Sequence, residues 1–229
     1  EATLVLDDGG NSHVGYETHA GLLSRLHRVA QIRGGGEPSV RSRRGRRTGF
    51  DGKKGFYKET DKPNPLSYYG LSKLKSEEVI ANSKIDYTIL RTILVYGKVY
   101  DMSRSNIVLW VKEMLENNKE ITIVDDQYRT PTYVEDLALA CKVSVDKKAT
   151  GIYNISSNKL LSIYEIAKQI AQVFDLDETL IKPISTATLN QTAPRPVKTG
   201  FDLSKTNKDL NLFPKSFKEG LQRFKETLI

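Results

Sequence analysis

"YYGLSKLKSEEVIANSKIDYTILRTILVYG", residues 68–97, runs from a helix into an apolar, β-branched stretch with the content of a buried strand and its exit loop. The alternation continues to the end of the chain. "SNIVLWVKEMLENN" (105–118) reads as a helix capped by Ser105, followed by a short strand in "EITIVDD" (120–126). "TYVEDLALACKVSV" (132–145) is a further helix and "GIYNISS" (151–157) a strand. "SIYEIAKQIAQVF" (162–174) and "SFKEGLQRFKETLI" (216–229) are helices opened by capping boxes, Ser162 with Glu165 and Ser216 with Glu219. Helices alternating with strands imply an α/β sheet protein.

The opening helix carries a pair suited to acid chemistry. Side chains four apart on a helix share a face, so the Tyr69 phenol and the Lys73 ammonium lie close together. A cation beside a phenol favours the phenolate and draws its pKa down from about 10 toward the working range. Such a phenol can give or take a proton near neutral pH. The same spacing also occurs on ordinary solvated helices, so the pair gains meaning only from its surroundings.

A chain of 229 residues can bury a core and hold one domain or somewhat more. Its single cysteine, Cys141, sits in an apolar-periodic stretch and reads as a buried thiol in a reducing compartment. No apolar run is long enough to span a membrane and no signal-peptide pattern opens the chain, so a soluble, cytoplasmic protein is expected. No metal site is expected. The net charge of +7 does not mark a phosphate-binding stripe. Residues 51–229 carry 22 Lys, five Arg and 23 acids, mixed along the chain in the manner of a solvated surface.

Composition breaks near residue 50. All 22 lysines follow that point, whereas nine of the 16 glycines and all three histidines precede it. At the later lysine density, about six would be expected in the first 50 residues. "RGGGEPSVRSRRGRR" (33–47) offers almost nothing apolar to offset the entropy of ordering it. "TLVLDDGGNSHVG" (3–15) bears only a faint likeness to a dinucleotide-binding βαβ start. Gly9 and Gly15 suit the outer positions of a glycine loop, but Ser12 stands in the middle, and Asp7 and Asp8 would face a pyrophosphate. The chain also begins at Glu1 rather than Met, and a fragment is expected.

From residue 50 onward the sequence resembles a known family. "YYGLSKLKSEE" (68–78) is similar to the Y-x-x-x-K helix of the extended short-chain dehydrogenase/reductases, with Glu77 four residues past the lysine. The Phe50, Asp51, Gly52 turn and "DGKKGFYKETDKPNPLSYYG" (51–70) resemble the dTDP-4-dehydrorhamnose reductase (RmlD-like) branch. "LRTILVYG" (90–97), "DDQYRTPTYVEDLA" (125–138), "GIYNIS" (151–156) and "RPVKTGFDLSK" (195–205) follow in that branch's order.

The resemblance implies a partial NAD(P)-binding Rossmann-like parallel sheet with a smaller C-terminal substrate-binding lobe. It implies that Tyr69 protonates a sugar keto oxygen while NADPH, or NADH, delivers hydride to the same carbon. Lys73 would assist the phenol and hold the nicotinamide ribose. Arg91 and Thr92 would end the strand beneath the nicotinamide, although Arg91 suits a structural ion pair equally well. Leu94 falls where the rhamnose enzymes commonly have a tryptophan against the sugar. Asn106, Gln127, Arg129 and Thr132, with Arg195 and Pro196, would line the nucleotide-sugar pocket. A nucleoside diphosphate sugar carries about two negative charges, which guanidinium groups bind bidentately. Structural alternatives are a salt bridge for each arginine and loop capping for Asn106 and Gln127.

Two family features are missing. The glycine loop that receives the pyrophosphate is degraded or absent. Counting back from Gly52, the family's Thr and Asp positions hold Arg46 and Arg47, and Thr48 lies about 6.6 Å too late along a strand. The expected organisation is therefore an aberrant or disordered segment at 1–49 and a reductase region at 50–229. Within that region the catalytic helix spans 68–83 and the substrate lobe mainly 97–130 and 157–229. The expected function is reduction of a 4-keto nucleotide sugar. Another nucleotide-sugar epimerase or dehydratase, or a non-catalytic relative such as the regulatory subunit of methionine adenosyltransferase, are the alternatives. A nucleic-acid partner is not expected, because the Arg-rich stretch has no aromatic residue to stack bases. A homodimer is permitted by the sequence but not required.

Overall fold

In the computed structural model, which describes residues 3–6, 49–98, 106–188 and 195–228, strand β3 (Thr88–Thr92) is buried along its whole length. It pairs in parallel with β8 (Gly151–Ile155), in the register Thr88↔Gly151 to Thr92↔Ile155. A parallel pair needs a crossover connection, and helix α3 (Val134–Asp146) covers these strands. Ala140 of α3 packs with Leu90, Tyr153 and Ile155 in one buried cluster. On the other edge of β3 lies β1 (Thr3–Leu6), running antiparallel. The first strand of a dinucleotide-binding βαβ unit would run parallel to its sheet, so the faint likeness at 3–15 is not borne out by β1. Gly9, Ser12 and Gly15 lie outside the described residues.

Helix α1 (Tyr68–Ala81) precedes β3 and ends at Ala81, two residues short of the expected 83. Ser67 caps it by accepting from the Gly70 amide at 3.2 Å. A short strand, β2 (Gly55–Tyr57), comes before it. After β3, β4 (Val95–Tyr96) leads to α2 (Ile107–Glu116). The expected cap of α2, Ser105, lies outside the described residues, and the capping position belongs to Asn106. Its Oδ1 accepts from the amides of Val108 at 3.0 Å and Leu109 at 3.1 Å. An asparagine side chain reaches the second and third helical amides as well as a serine does, which is why sequence alone did not separate these neighbours.

The remaining elements build two further layers. β5 (Ile121–Val124) pairs in parallel with β10 (Ile181–Ile184). Helices α2, α4 (Ile163–Phe174) and α5 (Phe217–Glu226) pack a core there that includes Val108, Val111, Ile166, Ile170, Leu221 and Phe224. Both expected capping boxes are present, at Ser162 with Glu165 and at Ser216 with Glu219. A four-stranded sheet runs in the order β2, β11 (Lys198–Phe201), β6 (Tyr128–Arg129) and β9 (Leu161–Ser162). β7 (Thr132–Tyr133) pairs in parallel with β4 and feeds directly into α3. The chain therefore leaves the β3–β8 sheet, visits the other layers and returns to it through α3. Among the described residues no helix is long and apolar enough to cross a membrane.

Two features of the packing have measurable consequences. Gly220 of α5 lies so close to Tyr96 and Tyr133 that a Cβ there would overlap the Tyr96 hydroxyl. Gly220→Ala is expected to lower the unfolding free energy in urea by about 1–3 kcal/mol, and adding Tyr96→Phe to recover part of that loss. Cys141 donates its thiol to the Leu137 carbonyl, and burial pushes its pKa up to about 11. Thiolate is the reactive form, so at pH 8 only about one thiol in a thousand is ionised. An aromatic disulfide reagent is expected to modify Cys141 slowly in the folded protein and at once in urea.

Candidate active site

Helix α1 turns Lys73 and Glu77 inward, four residues apart, with half-buried Tyr69 one turn ahead of the lysine. The Lys73 ammonium lies 5.6 Å from the centre of the Tyr69 ring. Glu77 faces Arg91 at the end of β3. Arg91 Nε donates to Glu77 Oε1 at 3.0 Å, and Nη2 donates to Oε2 at 2.6 Å. Arg91 is 3% exposed and Glu77 8%, so each charge is tolerable only because the other is there. The Arg91 guanidinium also stands 5.5 Å from the Phe50 ring centre, and Phe50 stacks on Tyr57 at 4.2 Å. Phe50, Lys73, Glu77 and Arg91 thus share one narrow crevice.

The turn that carries Phe50 is pinned by hydrogen bonds. Asp51 Oδ1 accepts from the Lys53 amide at 3.1 Å and the Tyr57 hydroxyl at 2.8 Å, and these bonds hold its carboxyl below the usual range. The Gly52 amide donates to the Tyr57 hydroxyl at 2.9 Å. Gly52 has φ +81°, and a Cβ there would lie 2.5 Å from the Pro196 side chain. Only glycine satisfies both conditions. Gly49, Gly52 and Gly55 match G-x-x-G-x-x-G spacing, but they run into strand β2 rather than a helix N-terminus, and so lack the geometry that receives phosphate.

The other expected site residues fall into three settings. Thr92 and Thr132 are interior: Thr92 Oγ1 donates to Thr132 Oγ1 at 2.7 Å, and Thr132 Oγ1 lies 2.8 Å from the Ile93 carbonyl that it can donate to. Leu94, at the turn after β3, adopts φ +49°, unusual for a branched apolar residue, and packs against two core clusters. Asn106 caps α2 and donates Nδ2 to the Gly97 carbonyl at 2.9 Å.

Gln127, Arg129, Arg195 and Pro196 form the third setting. Gln127 Nε2 donates to Thr186 Oγ1 at 2.9 Å, and that hydroxyl donates in turn to Asp126. Arg129 Nη1 donates to the carbonyls of Tyr128 at 2.6 Å and Val197 at 3.1 Å, and Nη2 to that of Pro196 at 2.9 Å. Burial, with nearby Arg195 adding to it, pushes the Arg129 guanidinium down to about 10. Among the described residues Arg129 is buried and ties the 195–197 loop. Arg195 is exposed on that loop. Gly52 joins the two halves of the site, because its carbonyl accepts from the Lys198 amide at 3.1 Å.

Sequence reasoning passed over Phe50, Asp126 and Thr186 as parts of this arrangement. Phe50 was visible in its turn, but its place against Arg91 depends on β3. The Asp126–Thr186 contact spans 60 residues and leaves no local signal. Arg46, Arg47 and Thr48 lie outside the described residues. Among the described residues no cluster of His, Cys, Asp or Glu is placed to hold a metal ion.

The chain is similar in sequence and fold to known proteins. Methionine adenosyltransferase 2 subunit beta of Xenopus tropicalis is 32% identical over 164 residues, covering 69% of this chain and 49% of that protein. The spore coat polysaccharide biosynthesis protein SpsK of Bacillus subtilis (strain 168) is 32% identical over 168 residues, 73% of this chain and 57% of its own. Among solved structures, the dTDP-4-dehydrorhamnose reductase of Bacillus anthracis str. Ames in complex with NADP superposes with a TM-score of 0.71 at 30% identity. It covers 78% of this chain and 62% of its own. The chain thus spans about half the length of the first of these relatives. The RmlD substrate binding domain model matches residues 48–229, the stretch that holds the α1 pair, the pinned turn and the Arg129 loop, and the chain belongs to that family.

Proposed function

We propose that residues 50–229 carry the catalytic helix and substrate-binding region of an NAD(P)H-dependent reductase of 4-keto nucleotide sugars, dTDP-4-dehydrorhamnose reductase being the nearest activity. The observation that carries this reading is the buried Lys73 ammonium beside the Tyr69 phenol. Tyr69 holds the proton that passes to the keto oxygen, and Lys73 stabilises the phenolate left behind. A buried ammonium with three N–H donors also suits the ribose hydroxyls of a nicotinamide nucleotide. The nicotinamide, when bound, supplies the hydride. No glycine loop among the described residues opens a helix toward a pyrophosphate, so the fit is to the nicotinamide end only. Arg195, exposed beside the buried Arg129 tie, is the cation that would meet the substrate diphosphate.

A second reading has its own support. Relatives named methionine adenosyltransferase 2 subunit beta, at 30–32% identity, favour a non-catalytic subunit of the same fold that binds a nucleotide or a partner enzyme. Titration with NADPH, read by nicotinamide fluorescence, together with turnover of a dTDP-4-keto sugar, separates the two. Micromolar binding abolished by Lys73→Ala, with Tyr69→Phe retaining binding but losing about 100- to 10,000-fold in turnover of a dTDP-4-keto sugar, is the result expected of the reductase. Absence of binding up to millimolar NADPH or NADH, or binding without turnover, would sink it and leave the subunit reading.

A further inference from the structure

We propose that the outer edge of β3 is a strand-accepting site for a short, extended, apolar peptide, and that β1 of the same chain is its resident occupant. Every residue of β3 is no more than 4% exposed. A strand buried on both faces belongs inside a sheet, with a partner along each edge, because bare ladder N–H and C=O groups cost free energy or recruit another chain. One edge of β3 is met by β8. Among the described strands the other is met by β1 alone, in the register Thr3↔Arg91, Leu4↔Leu90, Val5↔Ile89 and Leu6↔Thr88.

β1 sits on this edge as an added strand. It runs antiparallel, whereas β3 and β8 run parallel. It is remote from β3 in sequence and is not the other arm of a hairpin. Residues 3–6 also lie outside the family-matched stretch 48–229, so the matched region offers an edge that a segment from outside that region fills. Ladder bonds are made by the backbone and do not depend on which side chains the added strand carries. The occupant, Thr3, Leu4, Val5 and Leu6, therefore defines the class of ligand: uncharged, with β-branched and other apolar residues suited to a strand. A peptide in trans competes with β1, and its apparent affinity is reduced by the fraction of molecules in which the edge stands open. Strand acceptance at this edge does not depend on the proposed chemistry at Tyr69.

The test is a titration of the full chain with a fluorescent peptide of residues 1–8, EATLVLDD, read by anisotropy. The control peptide carries Leu4→Pro and Val5→Pro. Successive residues of a strand aim their N–H groups to opposite sides, so the same two changes made together in the protein remove a donor from the β1–β3 ladder whichever residue supplies it. The double variant is expected to bind the peptide at least about 10-fold more tightly than the wild type and to ignore the control peptide. Equal affinity in the two proteins, no binding to a variant that is folded by circular dichroism, or equal binding of both peptides overturns the proposal. Should the double variant not fold, Val5→Gly decides, because glycine weakens a strand without removing a donor. It is expected to bind the peptide about 2- to 5-fold more tightly than the wild type, and an unchanged affinity overturns the proposal.

Discussion

The ion pair between Arg91 and Glu77 is the contact on which the site depends. It joins the end of the central strand to the middle of the helix that carries Tyr69 and Lys73, and it is almost wholly removed from water. A buried pair of this kind adds little net stability compared with apolar residues of similar shape, but leaving either charge alone would be costly. Its effect is to make one placement of α1 against β3 far better than its neighbours. The Phe50 ring against the guanidinium extends the same constraint to the turn before α1.

From that turn the constraint passes to the second half of the site. Gly52 packs against Pro196, and the Pro196 carbonyl is held by Arg129, a buried residue of β6, the strand paired with β11. Arg129 therefore holds the loop that presents Arg195. A division of labour between a buried guanidinium that shapes a loop and an exposed one that meets solvent follows from desolvation: the buried group spends its donors on carbonyls because it cannot keep its water.

The interleaved chain path explains how short strands such as β4, β6, β7 and β9 matter. Each is two residues long, too short for any periodic pattern to betray, yet together they carry the chain between the β3–β8 sheet and the outer layers. The helices were legible because their apolar period and capping residues are local. Ser162 with Glu165 and Ser216 with Glu219 were read correctly because a capping box is complete within four residues.

By itself the amino-acid sequence determined the α/β alternation, the break in composition near residue 50 and the Tyr69–Lys73 pair, because each is written within a few consecutive residues or in bulk composition. Its ordered motifs carried the family resemblance that the matched region 48–229 bears out. Only the tertiary structure decided that Arg91 meets Glu77, that Thr92 and Thr132 face inward, that Asn106 caps a helix and that Arg129 ties a loop. Residue type states what a side chain is able to bond. The partner brought within reach, and whether water remains there to compete, depend on contacts tens of residues apart along the chain.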